Sequence, residues 1–156
     1  MRRIQRNTDS EKPAPHLIFG AMQDTQSGKR ARLLLVDDFE IVRAGLRDML
    51  SEHKDWEICG EAENGQVAIQ KVAELQPDLV FMDVNMPVMN GLEATRQIRN
   101  IAPNTKIVMF SMYDSTTLAE EAKGAGADVY LPKSASLEVL EETIDSLLRE
   151  DPSSAP

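Results

Sequence analysis

The chain has 156 residues, of which 42% are hydrophobic and 28% are charged, and it contains one cysteine. This composition is typical of one globular domain with a short remainder, and it excludes a collagen-like repeat, a mostly disordered chain and a disulfide scaffold. Because Cys59 cannot form an intramolecular disulfide, we expect a reducing, cytoplasmic environment. No apolar run approaches the roughly 18 residues that a membrane-spanning helix requires, so we expect no membrane partner.

The charge of the chain is unevenly distributed. The net charge is −9, yet residues 1–32 contain seven Arg and Lys against three Asp and Glu. Residues 33–156 contain ten basic and 23 acidic residues. Because an acidic body repels a phosphate backbone, we expect no direct nucleic-acid binding by this chain.

Residues 1–30 differ in composition from the rest. The first 15 are polar and include two prolines, which disfavours a helix or a packed core. The apolar stretch 16–22 is too short for a signal peptide and is separated from the N-terminal arginines by charged residues and prolines. We therefore predict a disordered leader over 1–30. A translation start at Met22 and a docking arm are the alternatives.

From residue 31 onwards, apolar runs suited to buried strands alternate with stretches of helical periodicity. The predicted strands are 31–36, 56–62, 79–84, 106–111 and 128–131. The predicted helices cover about 41–50, 67–75, 92–100, 118–123 and 137–148. Ser136 is a plausible N-cap of the last helix, and Gly124 and Gly126 are candidate stops of the fourth. This alternation predicts an α/β domain over 31–150, with a parallel sheet covered on both faces and 151–156 as a linker stub or tail.

Polar side chains follow four of the five predicted strands. Asp37 and Asp38 follow the first strand, Asp83 and Ser111 lie at the ends of the third and fourth, and Lys133 follows the fifth. Ligands of open parallel sheets bind beyond the carboxyl ends of the strands, so we expect these side chains to converge. The second strand supplies none, as expected of a strand at the sheet edge.

The charges of this set indicate what it binds. Two carboxylates about 5 Å apart repel by roughly 3 kcal/mol at an effective dielectric constant near 20, so three need compensating cations. Lys133 supplies one positive charge and a divalent ion would supply two. An all-oxygen donor set suits Mg²⁺, and a metal, a lysine and a carboxylate nucleophile together suit phosphoryl transfer. A single Asp at a strand end is often only a turn former, but the five-member set favours a site.

The histidines, the cysteine and several methionines are expected to have no chemical role in the site. We expect His16 and His53 to be solvated, and Cys59 to be a small buried hydrophobe. Five methionines are expected to pack in the core and its loops: Met82, Met86, Met89, Met109 and Met112.

These residues and motifs resemble the receiver domain of two-component response regulators. The resemblance is carried by Asp37 and Asp38, by 83–91 (DVNMPVMNG), by Ser111 and by 130–133 (YLPK), and it covers about 32–149. It implies the strand order 2-1-3-4-5 of flavodoxin-like and chemotaxis receiver folds, with five helices around the sheet.

The resemblance also implies a role for each site residue. Asp83 would accept a phosphoryl group from a sensor histidine kinase or a phosphotransfer protein. Asp38 would bind Mg²⁺ directly, Asp37 directly or through water, and Asn85 through its backbone carbonyl. Lys133 would pair with Asp83 and then with the phosphoryl oxygens.

Two further residues would form the switch by the same resemblance. Ser111 would close on the phosphoryl group and Tyr130 would rotate inward with it. Together they would convert the added charge into a change on the surface of the fourth helix, fifth strand and fifth helix. Met112 is bulkier than the small residue common at its position, so we expect it to slow the access of small phosphodonors or water to Asp83.

The segments DDFEIVRAGLRDML, EICGEAENGQVAI and YLPKSAS further resemble receivers of the NarL/FixJ type, which usually carry a DNA-binding domain. No such segment follows Arg149 in this sequence, so we expect a single-domain switch with a possible phosphorylation-dependent homodimer. The alternatives are the regulatory half of a DNA-binding regulator and a phosphorylation-independent interaction module. An aspartate phosphatase is disfavoured, because Asn85 stands where an acidic residue would be needed. We expect no turnover of a diffusible substrate.

Overall fold

The computed structural model describes residues 28–149. The predictions for the leader before residue 28, for His16, for the start at Met22 and for the tail lie outside the described residues. Within residues 28–149, no helix is long and apolar enough to cross a membrane.

Five strands and five helices alternate along the described chain. The strands are β1 (Ala31–Val36), β2 (Trp56–Ala62), β3 (Leu79–Asp83), β4 (Lys106–Ser111) and β5 (Val129–Pro132). The helices are α1 (Glu40–Leu50), α2 (Gly65–Leu75), α3 (Gly91–Ile101), α4 (Thr116–Ala125) and α5 (Leu137–Arg149).

All strand pairs are parallel, and the sheet order is β2-β1-β3-β4-β5. This confirms the predicted fold class and the edge position of β2. Every residue of β3 is buried, as expected for a central strand covered on both faces. Because the strands are parallel, their carboxyl ends meet at one edge of the sheet.

The core consists of two layers, one on each face of the sheet. Alternate strand residues, such as Leu34 and Met82, pack with α2, α3 and α4, while their neighbours Leu35 and Phe81 pack with α1 and α5. Many of these side chains are fully buried, and each stabilises the fold by about 1.5–3 kcal/mol relative to an exposed position. The layers fix the strands and therefore the positions of the residues at their ends.

The element boundaries differ from the prediction by one or two residues for physical reasons. Helices α2, α3 and α4 begin before their first large apolar residue because Asn64, Asn90 and Ser115 cap the free backbone N–H groups. The Ser136 hydroxyl accepts the N–H of Val139 at 3.3 Å, which confirms this predicted cap. Strand β3 ends at Asp83 rather than at residue 84, and β5 is shifted by one residue.

The two candidate stop glycines behave differently. Gly124 lies inside α4, so its prediction as a stop was wrong: the helix continues for another residue. Gly126 adopts a left-handed conformation with φ 110° and ends the helix, as glycine does at many helix C-termini.

The loop between β3 and α3 depends on a glycine at its end. The Gly91 N–H donates to the carbonyl of Val84 at 2.8 Å. A Cβ at Gly91 would lie 1.9 Å from the backbone carbonyl oxygen of Asp83, which is closer than any real contact. Only glycine therefore allows α3 to begin this close to the end of β3.

We predict that Gly91→Ala lowers the free energy of unfolding by about 1–3 kcal/mol, because the added methyl group must displace the backbone at Asp83. The matched control is Gly124→Ala, where a Cβ meets nothing within 4 Å. This helical substitution should instead raise stability by roughly 0.5–1 kcal/mol. Urea unfolding of the three proteins measures both effects, and similar values for the two variants would contradict the steric explanation.

Candidate functional site

Three carboxylates meet at the carboxyl edge of the sheet. Asp37 and Asp38 follow β1, and Asp83 ends the neighbouring strand β3. One carboxylate oxygen from each of the three lies within 4.8 Å of the others. Asp37 and Asp83 are buried, at 2% and 6% exposure. The strand order thus brings together the acidic residues singled out from the sequence.

Lys133 brings the compensating charge from the end of β5. Its Nζ lies 2.6 Å from Asp37 Oδ2 and 3.3 Å from Asp83 Oδ1. Lys133 therefore contacts both carboxylates: Asp83, the partner that the resemblance implies, and Asp37, which lies closer. Burial acts to lower the pKa of Lys133, but the hydrogen bond to Asp37 and the charge of Asp83 outweigh it and raise the pKa. The ammonium group stays charged between the two carboxylates.

The environment of Asp83 disfavours its ionisation. Burial, and then the negative charge of Asp37, raise the pKa of Asp83 to about 6, although Lys133 acts in the opposite direction. A carboxylate with this pKa is still mostly ionised near pH 7.5, at a cost in stability. A further cation beside it would favour the ionised form.

The residues present fit a divalent cation. Asp38 Oδ1 is buried and has no hydrogen-bond partner among the described residues, which is a costly state for a carboxylate oxygen. The three carboxylates carry three negative charges and Lys133 only one positive charge, so two charges are left to neutralise. Hard oxygen donors with this charge deficit suit Mg²⁺.

Ser111 and Tyr130 are connected through the residue Tyr113. Ser111, at the end of β4, is buried, and its hydroxyl oxygen accepts the Tyr113 N–H at 3.2 Å. The half-buried Tyr130 donates its hydroxyl to the Tyr113 carbonyl. The N–H of Lys133 donates to the Ser111 carbonyl at 2.7 Å. The candidate switch residues therefore share a connection with each other and with the site lysine.

Several contacts that position the site were not found from the sequence. The Phe39 N–H donates to Asp37 Oδ1 at 2.9 Å, and Arg43 Nη1 donates to the Asp37 carbonyl at 2.6 Å. Arg43 also pairs with Glu61, which Arg47 contacts as well. Burial opposes the ionisation of Glu61, but hydrogen bonds from Arg47 and Arg43 hold its pKa below its ordinary value. No local motif links these residues, since Glu61 is on β2.

The remaining sequence candidates differ in their surroundings. Asn85 is exposed beyond β3. His53 stacks on Trp56 with ring centroids 3.6 Å apart, so the ring that was expected to be solvated is only partly so: the indole covers one face. Cys59 is only half-buried, because it lies on the edge strand β2.

The five methionines do not all pack as expected. Met82 and Met109 are fully buried, and Met86 and Met89 are half-buried against the core. Met112 was expected to pack too, but it is 73% exposed because it follows the last residue of β4. Most of its side chain is therefore in contact with solvent in this conformation.

The fold and the site place the chain among flavodoxin-like α/β domains, with a carboxylate cluster, a lysine and a hydroxyl at one sheet edge. Residues 33–145 match the family model of the response regulator receiver domain. The chain belongs to this family.

Known relatives extend this assignment. The chain is 41% identical over 118 residues to the transcriptional regulatory protein YdfI of Bacillus subtilis, covering 76% of this chain and 55% of that protein. It is 41% identical over 102 residues to the chemotaxis protein CheY of Thermotoga maritima, covering 65% of this chain and 84% of that one. A LuxR-family two-component response regulator of Aurantimonas sp. superposes with a TM-score of 0.74 at 35% identity, over 78% of this chain and 86% of that one.

The matches to longer relatives involve only part of their length. The chain spans between 30% and 55% of three curated relatives that it matches. The similarity therefore establishes the receiver domain, and the output of a whole protein is a separate question.

We predict that Asp83→Asn stabilises the metal-free protein at pH 7.5. The folded-state pKa of Asp83 is raised to about 6 from an ordinary value of 3.8. Stability from this group is therefore fully present below about pH 3.8 and lost as the pH rises through 6. A shift of this size corresponds to at most roughly 3 kcal/mol, so we expect a gain of about 1–3 kcal/mol.

Urea unfolding in the presence of a chelator measures this gain. It should shrink as the pH falls from 7.5 towards 4, and Mg²⁺ should stabilise the wild type more than the variant. Asp48→Asn, on the exposed side of α1, is the control for removing one negative charge. An equal gain at both pH values would exclude ionisation of Asp83 as its cause.

Proposed function

We propose that this protein is a phosphorylation-controlled signalling switch whose phosphoacceptor is Asp83. Receiver domains of response regulators act in such switches, and the chain belongs to that family. The observation that carries the assignment of Asp83 is its position: it is the buried carboxylate at the end of the central strand β3, beside both Asp37 and Lys133. We propose residues 31–150 as the unit that carries this function.

The phosphoryl group would come from a phosphohistidine of a sensor histidine kinase or a phosphotransfer protein. A carboxylate oxygen of Asp83 attacks phosphorus, an O–P bond forms, and the N–P bond breaks with its electron pair returning to the imidazole, which is protonated by solvent. Lys133, 3.3 Å from Asp83 Oδ1, then pairs with the phosphoryl oxygens.

Mg²⁺ would be held by Asp37, Asp38 and Asp83 together with the backbone carbonyl of Asn85. When bound, it would neutralise charge on the transferring phosphoryl oxygens. The partnerless buried oxygen of Asp38 and the two uncompensated negative charges support this assignment.

The switch would run through Ser111 and Tyr130. A phosphoryl group on Asp83 offers new acceptors for the Ser111 hydroxyl, which now accepts the N–H of Tyr113. Turning that hydroxyl towards the phosphoryl group weakens its hold on Tyr113, whose carbonyl receives the Tyr130 hydroxyl. The added charge would thereby change the surface formed by α4, β5 and α5.

We propose that this protein turns over no diffusible substrate. The phosphoryl group of Asp83 would be hydrolysed in place, with the protein acting in the cytoplasm as a signal carrier. A phosphorylation-dependent homodimer is one output that such a surface change can produce, without nucleic-acid or membrane contact by this chain.

A second candidate is the regulatory half of a DNA-binding regulator. It is favoured by the similarity to YdfI, a transcriptional regulatory protein of which the chain spans 55%. The reading frame beyond codon 156 discriminates the two, since a helix-turn-helix sequence there would establish the longer protein.

The proposed function predicts one phosphoryl adduct, which intact-protein mass spectrometry would detect. With Mg²⁺ and acetyl phosphate, the wild type should gain the mass of one phosphoryl group and Asp83→Asn should gain none. Asp48→Asn should behave as the wild type. An unmodified wild type that also fails to bind beryllofluoride would refute the switch and favour the phosphorylation-independent module.

Met112 offers a prediction about rate. The sequence suggested that its bulk slows access to Asp83, but 73% of its surface is exposed, so its truncation should change the burial of the carboxylate little. We therefore expect Met112→Ala to change phosphorylation by acetyl phosphate, and the later hydrolysis, by no more than about twofold, as for a surface substitution. A severalfold acceleration of both reactions would show instead that Met112 restricts access to Asp83.

A further inference from the structure

A groove lies at the amino-terminal edge of the sheet, opposite the carboxylates. It has a volume of about 580 Å³ and is bordered by the ends of α2, α3 and α5. Binding pockets commonly measure roughly 300–1,000 Å³. Val72, Pro103 and Leu147 form apolar parts of its wall. Ile101, the last residue of α3, also lines the groove and is 51% exposed, so the groove offers apolar surface to an occupant.

The chain enters the sheet at the rim of this groove. The N–H of Arg32 donates to Asp78 Oδ2 at 2.8 Å, and its guanidinium donates to the carbonyls of Leu75 and Gln76. Gln76 and Asp78 both line the groove. Just before Arg32, the Ala31 N–H donates to the Asp55 carbonyl and the Arg30 guanidinium to the Trp56 carbonyl. The chain therefore enters the sheet between the start of β2 and the rim of the groove.

The sequence before β1 contains one short apolar segment, residues 17–22 (LIFGAM). Nine residues separate Met22 from Arg32, which is about 30 Å of extended chain. Strands β3 and β4, whose starts border the groove, lie one and two positions from β1, or about 5 and 10 Å. The connection is long enough for the segment to reach the groove.

Charge favours the same arrangement. Residues 1–32 contain an excess of four positive charges, whereas residues 33–156 contain an excess of 13 negative charges. Attraction between the two parts raises the local concentration of the basic arm at the acidic domain. Electrostatic attraction alone gives the arm no defined position, but the apolar part of the groove wall offers its apolar segment one.

We propose that residues 17–22 of this chain dock in the groove formed by the ends of α2, α3 and α5. The apolar side chains of the segment, Phe19 foremost, would cover Ile101 and its neighbours. This assigns a role to the arm that is independent of the phosphoacceptor site.

A double-mutant cycle on the full chain tests the proposal. The variants are Phe19→Ser in the segment, Ile101→Ser in the groove and the two combined, with Ile4→Ser as the control for an apolar residue of the same arm outside the segment. We expect Phe19→Ser and Ile101→Ser each to lower Tm by about 2–4 °C. The Tm of the double variant should be no lower than that of Ile101→Ser alone. Ile4→Ser should leave Tm unchanged.

Hydrogen exchange gives a local readout. Amide exchange at residues 102, 104 and 105 should become severalfold faster in Phe19→Ser and stay as in the wild type in Ile4→Ser. Additive effects in the cycle, or no effect of Phe19→Ser, would overturn the proposal. Two other outcomes would also overturn it. A Tm that depends on protein concentration would indicate a second copy of the chain in the groove. Loss of amide protection on deleting 150–156, with protection kept in Phe19→Ser, would indicate the C-terminal tail.

Discussion

The structure at the carboxyl edge of the sheet depends on the ion pairs of Lys133. Its ammonium group lies between Asp37 and Asp83, two buried carboxylates that repel each other. Lys133 is 96 residues from Asp37 in the sequence, and β5 is separated from β1 by two strands. The pairs form only when the whole parallel sheet is assembled, so the electrostatic balance of the site requires the complete fold.

The site keeps an excess of negative charge, which matches the proposed binding of a cation. One ammonium group cannot neutralise three carboxylates, and the consequences are the raised pKa of Asp83 and the partnerless oxygen of Asp38. Both features cost folding free energy, and a core that is buried on both faces of the sheet offsets them. A site that is destabilised in this way responds strongly to a cation or to a change of charge, which a switch requires.

The site could be predicted from the sequence because its residues follow the ends of predicted parallel strands. Buried runs alternating with helical periodicity predicted a parallel sheet, and the residues at its strand ends had to share one edge. The contact of Lys133 with Asp37, the Arg43–Glu61 pair and the close approach at Gly91 could not be predicted, because they depend on side-chain and backbone geometry between distant segments. Helix starts were placed slightly late for a related reason: capping residues such as Asn64 precede the apolar pattern.

Hydrogen bonds link the ends of β4 and β5 to each other and to Tyr113. The Ser111 carbonyl receives the Lys133 N–H, and the Ser111 hydroxyl receives the Tyr113 N–H. The carbonyl of Tyr113 in turn holds the Tyr130 hydroxyl. A single residue therefore connects a buried hydroxyl to a half-buried aromatic ring through its own two backbone groups. Under the proposed switch, a change at the Ser111 hydroxyl would reach Tyr130 through these two backbone groups of Tyr113.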